Sequence, residues 1–164
     1  MSTELLDAAT TASAGAPTLA RARDAAHANG LPFAGSVTPR EACALAQAGD
    51  AVLVDVRSAE ERHFVGQVPG SLHVAWATGT SLTRNPRFVK ELEAKAGHPG
   101  KSGKPLLLLC RSGKRSAAAA EAATKAGLPD VFNVLEGFEG DLDDSTQRGH
   151  FNGWRFHGLP WTQD

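Results

Sequence analysis

Hydrophobic positions along this chain follow two rhythms. Short, mainly apolar runs at residues 51–56 (AVLVDV), 106–109 (LLLL) and 131–134 (VFNV) read as strands, the first two as buried. A shorter strand is expected over residues 71–74, after the Pro69-Gly70 turn. Helical segments separate them. Thr38-Pro39-Arg40-Glu41 is a capping box with proline at the first helical position, and Gly49 closes the helix it opens. Ser58-Ala59-Glu60-Glu61 is a second capping box, starting a short helix toward Phe64 that ends near Gly66. Asn85-Pro86 opens a helix through Phe88, Val89 and Leu92, residues 97–105 form a loop by composition, and an alanine block predicts a helix over about residues 116–126.

Strands alternating with helices predict an α/β fold, an open parallel sheet with helices on both faces. Residues 36–164 are expected to form one domain. Residues 1–35, rich in Ala, Ser and Thr, read as an N-terminal extension that holds one helix around residues 19–28 and has no core of its own. Beyond Leu135 the chain becomes glycine-rich and locally acidic, yet Trp154, Phe156, Leu159 and Trp161 are too apolar for a free tail and are expected to fold back over the domain.

Composition narrows the function classes. A chain of 164 residues with 41% hydrophobic content suits one core, and a formal net charge of -1 without a basic stripe argues against nucleic-acid or membrane-surface binding. No apolar run approaches the roughly 18 residues of a membrane span, and two cysteines without a signal-peptide pattern favour a reducing, cytoplasmic setting. Cys43 lies on an amphipathic helix and reads as packing. The six histidines show no metal-site spacing and no nucleotide-binding glycine motif occurs, so no metal or cofactor is expected.

Candidate chemistry gathers in LLLLCRSGKRSAAAA, residues 106–120. A buried strand meets a helix there through six residues, Cys110 to Arg115. In open parallel sheets the binding crevice lies at the carboxyl ends of strands, and the following helix points free N-H groups back at it. Gly113 lets successive amides converge, while Arg111, Lys114 and Arg115 add positive charge. Such a setting favours thiolate over thiol and makes Cys110 a nucleophile held beside an anion cradle. Asp55 and Arg57 end another strand on the same edge. Arg57 is a candidate to bind a sulfur anion and Asp55 to support it, with a structural ion pair as the competing role.

Spacing separates two cysteine chemistries. Cysteine phosphatases and arsenate reductases carry Cys-x5-Arg, whereas Ser116 occupies that position here and the arginine falls one residue earlier, at Arg115. The loop CRSGKRS resembles the active-site loop of the rhodanese family of sulfurtransferases, which is characteristically six residues long. LVDVRSAEE resembles that family's Asp-x-Arg strand end and acidic helix start; GQVPGSLHV resembles its Gly-His-Ile-Pro-Gly-Ala turn, with Gln67 at the histidine position. NVLEGFEG and the later GW and GLPW fragments resemble its closing segment. Two departures stand out. Phe138 replaces the second glycine of a Gly-Gly pair, and the segment around residues 139–152 is lengthened, carrying Asp141, Asp143 and Asp144 as a surface loop, a lid or a docking surface.

The resemblance implies a sulfurtransferase that moves a sulfane sulfur from thiosulfate or a related persulfide to a thiol or cyanide acceptor through a Cys110 persulfide. It implies Arg111, Ser112, Gly113, Lys114, Arg115, Ser116 and Arg57 as the substrate-binding set. The cationic loop leans toward thiosulfate, a compact dianion. Two other readings stay open: a non-catalytic sulfur carrier or interaction module with a protein acceptor, and a short-loop phosphatase or arsenate reductase.

Overall fold

The computed structural model describes residues 15–99 and 103–164. Five strands, β1 (Gly35–Val37), β2 (Val52–Asp55), β3 (Leu72–His73), β6 (Leu106–Leu109) and β7 (Val131–Val134), pair in the order β1-β7-β6-β2-β3, all parallel. A small antiparallel pair, β4 (Ala77–Thr78) and β5 (Thr83–Arg84), sits outside this sheet. Helices α1 (Ala16–Ala28), α2 (Pro39–Gln47), α3 (Ala59–Phe64), α4 (Phe88–Ala96) and α5 (Lys114–Lys125) complete the chain.

The central strand β6 divides the core. Its four leucines are fully buried, Leu107 and Leu109 toward one face with α1 and α2, Leu106 and Leu108 toward the other with α4 and α5. Burying each contributes on the order of 2 kcal/mol, which is why an unbroken leucine run belongs in the middle of a two-faced sheet. The alternation continues past the strand, so Cys110 falls on the α5 face while Cys43 packs on the opposite one. Both cysteines are free.

Both capping boxes form, with Thr38 and Ser58 each accepting from the backbone N–H three residues on. Helix α5 starts at Lys114, two residues earlier than the alanine block predicts, because Gly113 at φ 101° serves as its cap. α4 starts later than Asn85-Pro86 suggests: the Asn85 Oδ1 accepts from the Arg87 N–H in a turn before the helix. The predicted loop at 97–105 holds no helix or strand where it is described, and residues 100–102 lie outside the described residues.

The N-terminal helix corrects one expectation. Leu19, Ala22 and Ala26 are buried at a three-then-four spacing, α1 packs on β1, and Arg23 pairs with Asp130 at 2.9 Å. A stripe of small residues lets helix and strand approach closely, so residues 16–28 belong to the domain core. The earlier part of the predicted extension, residues 1–14, lies outside the described residues. At the other end Trp154 is buried and donates its Nε1 hydrogen to the Pro160 carbonyl, and Leu159 packs against the core. Phe156 and Trp161 stay substantially exposed, so the C-terminal cover is partial. A bridge between Gln67 and Thr162 fastens the chain end to the turn after α3.

Candidate active site

At the carboxyl end of β6 the backbone leaves the sheet at Cys110 and turns into α5 at Lys114. The Gly113 N–H donates to the Cys110 Sγ at 3.1 Å, and the Ser116 Oγ lies 3.2 Å from the same sulfur. Cys110 is 1% exposed. A left-handed glycine in the turn lets the amide face inward, as the sequence leads one to expect.

The loop is fixed from below by the chain after β7. The Phe138 N–H donates to the Cys110 carbonyl at 2.8 Å and the Glu139 N–H to the Arg111 carbonyl at 3.0 Å. Gly137, at φ 70°, allows this contact: a Cβ there would stand 2.4 Å from the Arg111 carbonyl carbon and from the Ser112 nitrogen. Backbone atoms cannot retreat that far without opening the loop.

The three loop cations separate in role. Arg111 and Lys114 are exposed, and among the described residues neither has a carboxylate partner. Arg115 instead makes a bidentate pair with Glu61 on α3, at 2.7 and 2.8 Å. Hydrogen bonding to Glu61 raises the Arg115 pKa against the opposing effect of burial. For Glu61, burial pushes upward, yet the Arg115 hydrogen bonds and charge, the Ser58 N–H and the Arg57 charge outweigh it and hold the pKa at about 2. Arg115 therefore enters the site already neutralised.

Asp55 and Arg57 take the ion-pair role. Both are fully buried, with Arg57 Nη2 2.7 Å from Asp55 Oδ2, and Arg57 also donates to the Gly66 carbonyl. Its guanidinium carbon lies 4.3 Å from the centre of the Phe138 ring, and Arg62 adds a second pair to Asp55 at 3.0 Å. This corrects Arg57 as a ligand for a substrate anion. It is walled in by Phe138, the residue standing where the family pattern has glycine, and it ties β2 to the turn at Gly66. Ser116 is likewise fully buried, which turns it from a substrate contact into a contact to the sulfur itself.

A cavity of about 420 Å³ opens beside the loop, lined in part by Arg111, Arg115, Arg148, Glu60, Glu61 and Glu139. Glu139 and Arg148 come from the lengthened segment, whose Arg148 is held by the Gly140 carbonyl and whose Asp143 accepts from the Ser145 and Gln147 N–H groups. The extra residues thus build one wall of that cavity. A second cavity, about 480 Å³, lies beside Cys43 and Trp154. Burial raises the Cys43 thiol, so that cavity offers no ready nucleophile.

Three contributors escape sequence reading. Glu61 is accounted for by its capping box, which conceals its pairing with Arg115. Gly137 carries a signal only as the first position of the family's Gly-Gly pair, whose second is Phe138 here. Asn133, the one polar residue in VFNV, is buried with its Oδ1 2.5 Å from the Ser116 Oγ and its Nδ2 3.3 Å from the Gly113 carbonyl oxygen.

Comparison with known proteins agrees with this geometry. The family model for the rhodanese-like domain matches residues 38–143. A crystal structure of Rv0390 from M. tuberculosis is 43% identical, covers 80% of this chain and 99% of its own, and superposes with a TM-score of 0.69. The protein RP600 of Rickettsia prowazekii is 33% identical over 112 residues, 68% of this chain and 83% of its own length. A Rhodopseudomonas palustris structure described as a possible tyrosine phosphatase is 28% identical, with a TM-score of 0.50 over 77% of this chain and 83% of its own. With the cysteine at the turn from β6 into α5, on a parallel sheet of this order and inside the span of the matching model, the assignment follows: the chain belongs to the rhodanese-like domain family.

Proposed function

We propose that the protein is a sulfurtransferase that carries a sulfane sulfur on Cys110. The observation that carries this reading is the Cys110 sulfur receiving the Gly113 N–H at 3.1 Å in the turn from β6 into α5. In the loading step the Cys110 thiolate attacks the outer sulfur of thiosulfate or an organic persulfide. The donor's S–S bond breaks, and sulfite or a thiolate leaves with the electron pair. In the discharge step cyanide or a thiolate attacks the outer sulfur of the Cys110 persulfide, and the Cys110 thiolate departs. With thiosulfate and cyanide the balance is one sulfite and one thiocyanate, with no net proton. Loop donors offset the anionic sulfur in each step. The reducing interior of a cell, the cytoplasm, suits such a thiol.

The same geometry speaks against phosphoryl transfer. A phosphatase needs an arginine free to clamp the tetrahedral group, and Arg115 is one residue too early and committed to Glu61. Delivery to a protein acceptor is a second reading, favoured by the exposed Leu142 and Phe151 in the lengthened segment.

Intact-mass measurement after brief exposure to thiosulfate, beside Cys110→Ser, tests the proposal. Wild type should gain one sulfur, lose it to cyanide and yield thiocyanate, while the variant gains none. A variant that transfers sulfur at the wild-type rate overturns the scheme. A persulfide that forms but discharges only to a protein thiol selects the second reading.

A further inference from the structure

The hydroxyl of Ser116 has two acceptors and one proton. Its Oγ lies 3.2 Å from the Cys110 Sγ and 2.5 Å from the Asn133 Oδ1, with Ser116 fully buried and Asn133 nearly so. Both side chains are out of contact with bulk solvent, and these are the two acceptors within reach among the described residues, so the proton goes to one partner or the other. The amide of Asn133 cannot answer by flipping. Its Nδ2 faces the Gly113 carbonyl oxygen at 3.3 Å, and a flipped amide would set two acceptors against each other.

We propose that Asn133 is a positioning residue that competes with the Cys110 sulfur for the Ser116 hydroxyl proton, and thereby governs how easily that sulfur carries negative charge. A buried asparagine within an otherwise apolar strand calls for such a role, since a buried amide without a partner is costly. In the thiol state the sulfur's own hydrogen points to the Ser116 Oγ, and the hydroxyl donates to Asn133. In the thiolate state the sulfur has no hydrogen, the hydroxyl turns to it, and the Asn133 Oδ1 loses its donor. In a persulfide the Sγ is bonded to carbon and to the outer sulfur and carries no charge, so the hydroxyl returns to Asn133. The rotation breaks no covalent bond and consumes no proton. Its consequence for turnover rests on the sulfurtransferase reading: Asn133 limits stabilisation of the resting thiolate, which preserves its nucleophilicity, and releases the hydroxyl again when Cys110 departs in discharge.

Other charges near the sulfur are fixed by separate partners. Arg115 is held by Glu61; Asp55 and Arg57 hold each other on β2; Glu136, beside the Gly113 turn, is paired with His157; Arg111 and Lys114 are exposed. None contacts Asn133 among the described residues, so substituting Asn133 reports on the hydroxyl.

The test is the pH profile of Cys110 alkylation by iodoacetamide, a reaction that needs no sulfur donor. Ser116→Ala should move the midpoint up by about one pH unit, because the thiolate loses a donor. Asn133→Leu should move it down by about half a unit, because the hydroxyl is freed for sulfur. The double variant should match Ser116→Ala. An upward shift in Asn133→Leu, or a downward shift that persists without the Ser116 hydroxyl, overturns the proposal. Wild-type protein gives an independent check if Asn133→Leu does not fold: the Asn133 side-chain amide resonances should shift at the alkylation midpoint, and resonances indifferent to it overturn the proposal. Failure of sulfur loading in the mass experiment would sink the transfer reading and leave these profiles unchanged.

Discussion

Replacing Glu61 with glutamine removes one charge and little else. Glutamine still fits the third position of a capping box, so α3 keeps its start while Arg115 loses its counter-ion. Both side chains are under one-fifth exposed, at 19% and 17%, so the pair is only partly screened. The Glu61 pKa falls from 4.5 to about 2 in the folded protein. At about 1.36 kcal/mol per unit that depression corresponds to roughly 3 kcal/mol, and partial solvent screening brings the expected effect to about 2 kcal/mol. The sign follows from linkage. A depressed carboxylate stabilises the fold fully above its unfolded pKa near 4.5, and the contribution disappears as pH falls through about 2. Urea denaturation of wild type and Glu61→Gln across this range is the assay. Near neutral pH the variant should be about 2 kcal/mol less stable, and the two should converge near pH 2. A gap that stays constant with pH, or one below about 0.5 kcal/mol near neutral pH, would refute the assignment.

Gly137→Ala should destabilise the fold by about 2 kcal/mol or more, since a left-handed residue must also accept a Cβ 2.4 Å from the loop backbone. Thermal melting measures the loss, and faster Cys110 alkylation shows that the loop has opened. Asp55→Asn should cost about 3 to 5 kcal/mol because it leaves Arg57 charged and fully buried without its partner. A loss below about 1 kcal/mol in denaturant titration would mean that Arg57 finds compensation from Gly66 and the Phe138 ring.

Much of the architecture is legible in local patterns. Four leucines in a row admit few homes besides a central strand, and two capping boxes with proline or acidic residues in place mark helix starts to the residue. β1, with three residues, and the β4–β5 pair, with two residues each, were too short to impose a rhythm. α1 was visible as a helix, but its burial depends on a partner strand that the N-terminal sequence does not contain. The site divides in the same way. Cys110 and its loop announce themselves because strand, glycine and helix are contiguous. The partners that tune the loop come from elsewhere: Glu61 is 54 residues from Arg115 and Asn133 is 17 from Ser116. Their sequence contexts already had local explanations, a helix cap and a strand, so only tertiary geometry exposes the second use.

The charge pattern of the cavity beside the cysteine loop has a further consequence. Three guanidinium groups there, on Arg111, Arg115 and Arg148, stand against three carboxylates, on Glu60, Glu61 and Glu139. With Lys114 the one further exposed cation of the loop and the chain as a whole at -1, little long-range field gathers at this end of the sheet. On the proposed sulfurtransferase reading, encounter with a sulfur donor should therefore depend little on ionic strength, and discrimination falls to the last few ångströms, where the Gly113 amide acts. On the same reading, a donor carrying charges of both signs would meet no electrostatic barrier on the way in.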